Sequence, residues 1–198
     1  MSRIHNIQTT SLHTGIGILL SAALTLSGAS FVQANSAVPL LDTVNSAKEI
    51  SDLLFPVKKR RTRSLKRTDH TIEPPPEAVA LKIPFAFDSA TLLPDAFRVL
   101  DFVAEALLSP QAFDQGLIVE GHTDSTGSAD YNHRLSVRRA AAVRHYLSSH
   151  YGIDTNRLVI KGFGESRPYN ASSPSSSINR RVQMISMPLH SMAEHPDS

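Results

Sequence analysis

The sequence contains no cysteine among its 198 residues. Structural disulfides and metal sites built on thiolates are therefore excluded. Long apolar runs are also scarce: the main one, from Ile16 to Leu26, is shorter than the roughly 20 residues that a membrane-spanning helix needs. The formal net charge of +2 is too small to indicate a class of partner, so the information lies in how the basic residues cluster.

Residues 1–34 have the pattern of a secretory signal peptide. Arg3 precedes the apolar run, and Val32 and Ala34 are small residues at the two positions that a signal peptidase reads. An uncleaved anchor is the alternative, which the brevity of the run and its serine and glycine residues disfavour. We therefore expect an exported chain without a second hydrophobic span.

Residues 35–76 differ in composition from the rest of the chain. One short amphipathic helix is predicted over 47–55, and a dense basic run, Lys58 to Arg67, comes next. The triple proline at 74–76 predicts a stiff spacer, so we interpret the segment as a flexible linker with a docking helix. The basic run fits a solvated linker or attraction to an anionic surface. Nucleic acid is not expected as a partner, because no aromatic residues interleave the charges.

From residue 77 to residue 188 the patterns predict a folded domain, and residues 189–198 are predicted to be a disordered tail. Strict alternation over 79–87 predicts a half-buried strand with Phe87 in the core. Helices are predicted from Pro94 to Ser109 and over 128–150, with Gly152 ending the second. Further strands are predicted over 117–120, 158–161 and 181–187.

The predicted fold class is α/β. The order of elements, βαβαβ with one further strand, indicates a two-layer sandwich in which helices pack on a mixed sheet. The last strand has no helix before it, so we expect it to run antiparallel to its neighbours.

The loop at 121–127 and the helix after it carry the candidate site. On a helical projection Arg139 falls within the apolar stripe, and Asn132 lies on the same face two turns earlier. Arginine is rarely buried without a partner, so Arg139 is expected near an anion, with Asp124 as the nearest candidate. A structural ion pair between them and an open site for a charged ligand both satisfy these local rules.

Several residues here agree in register with a known family. The sequence resembles OmpA-like peptidoglycan-binding domains through 121–124, Gly127, 131–132, 135–136, 138–140 and 179–182. The resemblance extends from about Val79 to Met187. It implies that Asp124 holds the ammonium, and Arg139 the carboxylate, of diaminopimelate in the peptidoglycan stem peptide.

The resemblance also implies supporting roles. Asn132, Leu135 and Thr123 are expected to shape the pocket, and Asp88 is either a polar ligand contact or a turn residue. Arg180 and Arg181 are expected to stabilise the fold rather than to touch the ligand. Lipoproteins of this family carry an acylated cysteine, which this sequence lacks.

The implied function is non-catalytic binding of peptidoglycan in the periplasm of a Gram-negative envelope, with no cofactor. His122, His133 and His145 lack the spacing of metal ligands, and Ser136 lacks the glycine pattern of a hydrolase nucleophile. The alternative is an interaction protein that docks onto a secretion or motility complex through the helix at 47–55 and the basic run.

Overall fold

The computed structural model describes residues 38–57 and 77–192, which lie in one compact unit. The predicted signal peptide, the basic run Lys58–Arg67, the proline spacer and residues 193–198 lie outside the described residues. Within the described ranges, no helix is both long enough and apolar enough to cross a membrane.

In the described part of the chain, five strands and four α-helices form the domain. In chain order they are β1 Leu40–Leu41, α1 Ala47–Leu54, β2 Ala78–Leu81, α2 Pro94–Leu108, β3 Gln115–His122, α3 Ala129–Tyr151, β4 Leu158–Gly164, β5 Val182–Pro188 and α4 Leu189–Met192. The strand order in the sheet is β1-β2-β5-β3-β4. Strand β5 runs antiparallel to both β2 and β3, whereas the β1/β2 and β3/β4 pairs are parallel. The predicted α/β class and the antiparallel last strand are confirmed.

The core lies between one face of the sheet and the three longer helices. Alternate residues of the strands face the helices, so each strand contributes every second side chain to the same apolar cluster. The sheet side of this cluster comprises Val79, Leu81, Leu117, Val119, Leu158, Val182 and Met184, and the helix side includes Ile50, Leu54, Leu100, Val103, Leu107, Val143 and Leu147.

Helices α2 and α3 begin and end close to the predicted positions, because their end signals are strong. Pro94 takes the first position of α2, where its missing N–H has no helical partner to lose. The Ser128 side chain caps α3 by accepting from the Tyr131 N–H, and Gly152 ends that helix in the left-handed conformation.

The helix predicted within the linker is present as α1, but it is part of the core rather than a docking element. Ile50 and Leu54 are fully buried, and α1 packs mainly on α2. Upstream, β1 pairs with β2. The described part of the predicted linker therefore belongs to the folded unit, because its apolar face has a partner surface within the same chain.

Three further expectations were wrong in detail. The alternating segment 79–87 is a strand only as far as Leu81, where the chain turns with the Ile83 N–H donating to the Leu81 carbonyl at 3.1 Å. Phe87 was expected in the core, yet its side chain is 100% exposed. The tail predicted to be disordered begins instead with the short helix α4, which buries Met192 beside Ile118 and Val159.

Candidate functional site

The loop after β3 is fixed by hydrogen bonds from its neighbours. The Thr123 N–H donates to the Gly164 carbonyl at 2.9 Å, which ties the start of the loop to the end of β4. The Asn132 amide on α3 donates to the carbonyls of Asp124 and Thr126 at 3.2 and 3.1 Å, and to Glu165 Oε2 at 2.6 Å. Asn132 is thus placed at the predicted site, but its amide N–H groups hold the loop.

Two glycines allow α3 to lie directly on the strands. A Cβ on Gly121 would collide with the backbone carbonyl of Ser136. Gly164 has a φ of +52°, and a Cβ there would lie 2.8 Å from the His133 nitrogen. Ser136 itself is fully buried and donates to the His133 carbonyl at 2.7 Å.

The Asp124 carboxylate is paired with Arg180. Asp124 Oδ2 lies 2.5 Å from Arg180 Nη1, and Oδ1 accepts from the Thr126 N–H at 2.9 Å. Burial alone would raise the pKa of this carboxyl, but the hydrogen bonds from Arg180 and Thr126 outweigh burial and lower it. The structural pair considered from sequence, Asp124 with Arg139, is therefore replaced by a pair with Arg180.

Arg139 lies nearby with a different set of contacts. The residue is 9% exposed, its Nε donates to the Ser89 carbonyl at 3.0 Å, and its guanidinium lies 5.1 Å from the centre of the Phe85 ring. Burial lowers its pKa, and repulsion from Arg180 lowers it further. A guanidinium in this setting gains most from an added anion, because the carbonyl and the ring beside it carry no net charge.

Arg139 opens onto a basic cleft of about 210 Å³. Its lining combines the chain before α2, the end of β3, α3 and the segment before β5. The lining residues are Lys82, Ile83, Pro84, Phe85, His122, Arg139, Ser177, Arg180 and Arg181. Four of them are cationic and none is a carboxylate, so the cleft favours a ligand with negative charge.

The remaining predicted site residues do not line the cleft. Thr123 is buried, and its hydroxyl has no hydrogen-bond partner. Leu135 is buried on α3. Asp88 has a φ of 52° in an exposed turn and accepts a hydrogen bond from the Tyr131 hydroxyl. This geometry fits the turn role, and the ligand contact stays a prediction.

Sequence reasoning missed two contributors to the cleft. Arg180 was expected only to stabilise the fold, but it precedes β5, which begins at Val182, and its side chain lines the cleft and pairs with Asp124. His122 was placed in a loop, but it ends β3 and is buried, with no hydrogen-bond partner for either ring nitrogen. Burial lowers its pKa, which disfavours the charged form of the ring beside the arginines. Within residues 38–57 and 77–192 no cluster of metal ligands is present.

The same part of the chain matches known proteins. Residues 84–181 match the sequence model of the OmpA family. Outer membrane porin F of Pseudomonas aeruginosa is 39% identical over 107 residues, covering 53% of this chain and 30% of that protein. Outer membrane protein A of Bordetella avium is 42% identical over 103 residues, covering 50% and 51%. The peptidoglycan-associated lipoprotein of P. aeruginosa is 37% identical over 102 residues, covering 50% and 58%.

Solved structures give related matches. The OmpA-like domain of FopA1 from Francisella tularensis is 27% identical with a TM-score of 0.49, covering 56% of this chain and 73% of that chain. The cell wall anchor of the T6SS from P. aeruginosa is 28% identical with a TM-score of 0.46, covering 56% and 80%. The matched segment spans between 30% and 58% of the three curated relatives named above. The match of residues 84–181 to the family model shows that the chain contains an OmpA family domain.

Proposed function

We propose that the domain binds peptidoglycan without catalysis, by holding the zwitterionic end of diaminopimelate in the basic cleft. The observation that carries the proposal is the buried Arg139, which faces a cleft lined by cations and by no carboxylate. Its planar guanidinium matches the two oxygens of a carboxylate. The relative named peptidoglycan-associated lipoprotein supports the same ligand class.

The ammonium of the ligand goes to Asp124 in this proposal. Because Asp124 is paired with Arg180 in the structure, the ammonium must share or displace that guanidinium. The Arg180 side chain is 50% exposed, and exposed pairs are worth about 0–1 kcal/mol, so the exchange is energetically small. Thr123, Asn132 and Leu135 support the loop and helix that carry the two charges, and Asp88 holds the adjacent turn.

Each exchanged charge contact contributes on the order of 1.5–3 kcal/mol. We therefore expect a monovalent affinity in roughly the micromolar to millimolar range. Retention on a polymeric wall would then depend on many copies of the ligand and on any further contact surface. The basic run Lys58–Arg67 is proposed as such a surface, through attraction to anionic envelope components.

Arg139→Ala tests the proposal. Purified peptidoglycan should retain the wild-type protein and should lose the variant, whose far-UV circular dichroism stays unchanged. Arg138→Ala is the matched control, because the adjacent residue carries the same charge and is exposed. Equal retention of both variants, with both folded, would refute the assignment of the ligand to the basic cleft.

We also propose that the protein lies in the cell envelope and that it is not an enzyme. The relatives are named as outer membrane or peptidoglycan-associated proteins. Incubation with peptidoglycan should release no soluble muropeptides, and their appearance in the supernatant would contradict a pure binding role. Docking onto an envelope complex through α1 is not supported, because Ile50 and Leu54 of that helix are buried in the core.

A further inference from the structure

A second cleft adjoins the basic cleft. It measures about 500 Å³ and is lined by residues 42–45 on one side and by the start of α2 on the other, where Pro94, Asp95, Arg98 and Val99 lie. Lys82 and Pro84 line both clefts, so the two meet at these residues. Residues 42–45 and Lys82 precede the segment 84–181 that matches the family.

The cations of the basic cleft differ in the partners that they already have within the protein. Arg180 is paired with Asp124, and Arg181 donates to the Arg167 carbonyl at 3.2 Å. Arg139 is the partner assigned above to the ligand's terminal carboxylate. Lys82 remains: its ammonium lies 3.6 Å from the carboxylate of Asp42, and the two side chains are 54% and 74% exposed. That separation exceeds a hydrogen bond, so the pair is weak.

We propose that Lys82 binds a second carboxylate of the same ligand and thereby selects diaminopimelate that is part of a peptide. The inference rests on the proposed function of the basic cleft. In free diaminopimelate each carboxylate has an ammonium on the same carbon. When diaminopimelate is the last residue of a stem peptide, the amino group of one of its two centres is acylated, and the free carboxylate on the same carbon loses that compensation and becomes a net anion.

The surroundings of Lys82 place this carboxylate at the junction of the clefts. The rest of the second cleft is less favourable to an anion, because Asp42 and Asp95 line it, although Arg98 is also present. On the other side, Arg139 and Asp124 hold the terminal end of the ligand in the proposed function. A peptide that leaves the basic cleft past Pro84 therefore passes the Lys82 ammonium.

Calorimetric titration with two ligands tests the inference in low-salt buffer. The probes are free meso-diaminopimelate, which has no net charge, and γ-D-glutamyl-meso-diaminopimelate, which has one net negative charge. Wild-type protein should prefer the dipeptide by about fivefold, the upper limit for an exposed ion pair. Lys82→Gln should reduce this preference to less than about twofold and leave the affinity for the free amino acid within about twofold of wild type.

Lys48→Gln is the matched control, since this exposed lysine on α1 pairs with Asp52 and lies outside both clefts. It should keep the wild-type preference. Asp42→Asn removes the acid that competes for Lys82 and should strengthen dipeptide binding about twofold.

The outcomes separate the two proposals. If wild type binds both ligands and Lys82→Gln keeps the preference, or weakens both ligands equally, the role of Lys82 is overturned while the function stands. Weaker dipeptide binding by Asp42→Asn would also overturn it. If wild type binds neither ligand, the proposed function fails and this inference fails with it.

Discussion

Replacing Asp124 by Asn tests the ion pair that the structure shows at the site. The substitution keeps the shape of the side chain but removes the charge that faces Arg180 Nη1 at 2.5 Å. It also weakens the hydrogen bond that Oδ1 accepts from the Thr126 N–H at 2.9 Å. The variant should therefore fold, with a lower free energy of unfolding.

The magnitude depends on the exposure of the two partners. A hydrogen bond to a charged group contributes about 1.5–3 kcal/mol when it is protected from water. The Asp124 side chain is 10% exposed, but that of Arg180 is 50% exposed, so solvent screens part of the interaction. Arg180 can also turn into water once its partner is gone. We expect a loss of about 1–2 kcal/mol at pH 7.

The lowered pKa of Asp124 determines how the stability difference between wild type and Asp124→Asn changes with pH. The pKa of Asp124 is lowered in the folded protein from its usual value of 3.8. Unfolded chains then bind more protons below pH 3.8, so the stabilisation by Asp124 is complete above that pH and is lost as the pH falls through the folded pKa. Urea unfolding of wild type and Asp124→Asn should show a gap at pH 7 that narrows below pH 3.8.

A double-mutant cycle identifies the partner. Arg180→Gln should remove only the contribution of the ion pair, up to about 1 kcal/mol, and the double variant should be about as stable as Asp124→Asn. Additive losses from the two single variants would refute the pair. A gap between wild type and Asp124→Asn that stays constant down to the acid limit would refute the ionised state of Asp124.

Three further predictions concern the residues that support the site. Gly121→Ala should prevent α3 from packing on β3, because the added methyl group meets the Ser136 carbonyl. Thermal unfolding of this variant should therefore lose its cooperative transition, and a normal transition would contradict the close approach of the helix to the strand. Asn132→Ala should lower the free energy of unfolding by about 1–3 kcal/mol, since the two loop carbonyls lose their donor. Hydrogen exchange of the Thr126 amide should become faster, and unchanged exchange would contradict the role of Asn132 in holding the loop. The pKa of His122 is lowered below 6.5 by burial, so wild-type stability should fall as the pH drops through 6.5, and His122→Gln should flatten that part of the profile measured by calorimetry.

Strong local signals explain which parts of the fold were predictable. Helix α3 begins one residue after the Ser128 cap and ends one residue before Gly152, because both signals act within a single turn. The alternating segment 79–87 gave a false strand, since alternation does not reveal the turn at Leu81 or the positive φ of Asp88. The role of α1 depended on its contact with α2, which no local pattern records.

The candidate site was predictable to a similar degree. Arg139 was placed correctly on the buried face of α3, because a charge within an apolar stripe is visible in the helical projection. Its pairing was not predictable, since Arg180 reaches Asp124 from 56 positions away along the chain. Lys82 lies within the segment 79–87 that was predicted to be a strand, but the strand ends just before it. Its place between two clefts depends on the packing of residues 42–45.

The position of β5 bears on the time course of folding. This strand occupies the middle of the sheet, with β2 on one side and β3 on the other, yet it is the last of the five along the chain. Strands β2 and β3 can therefore pair with β5 only after about 60 residues beyond the end of β3 have been made. During synthesis the two halves of the sheet, β1 with β2 and β3 with β4, therefore stay separate until residues 182–188 have left the ribosome.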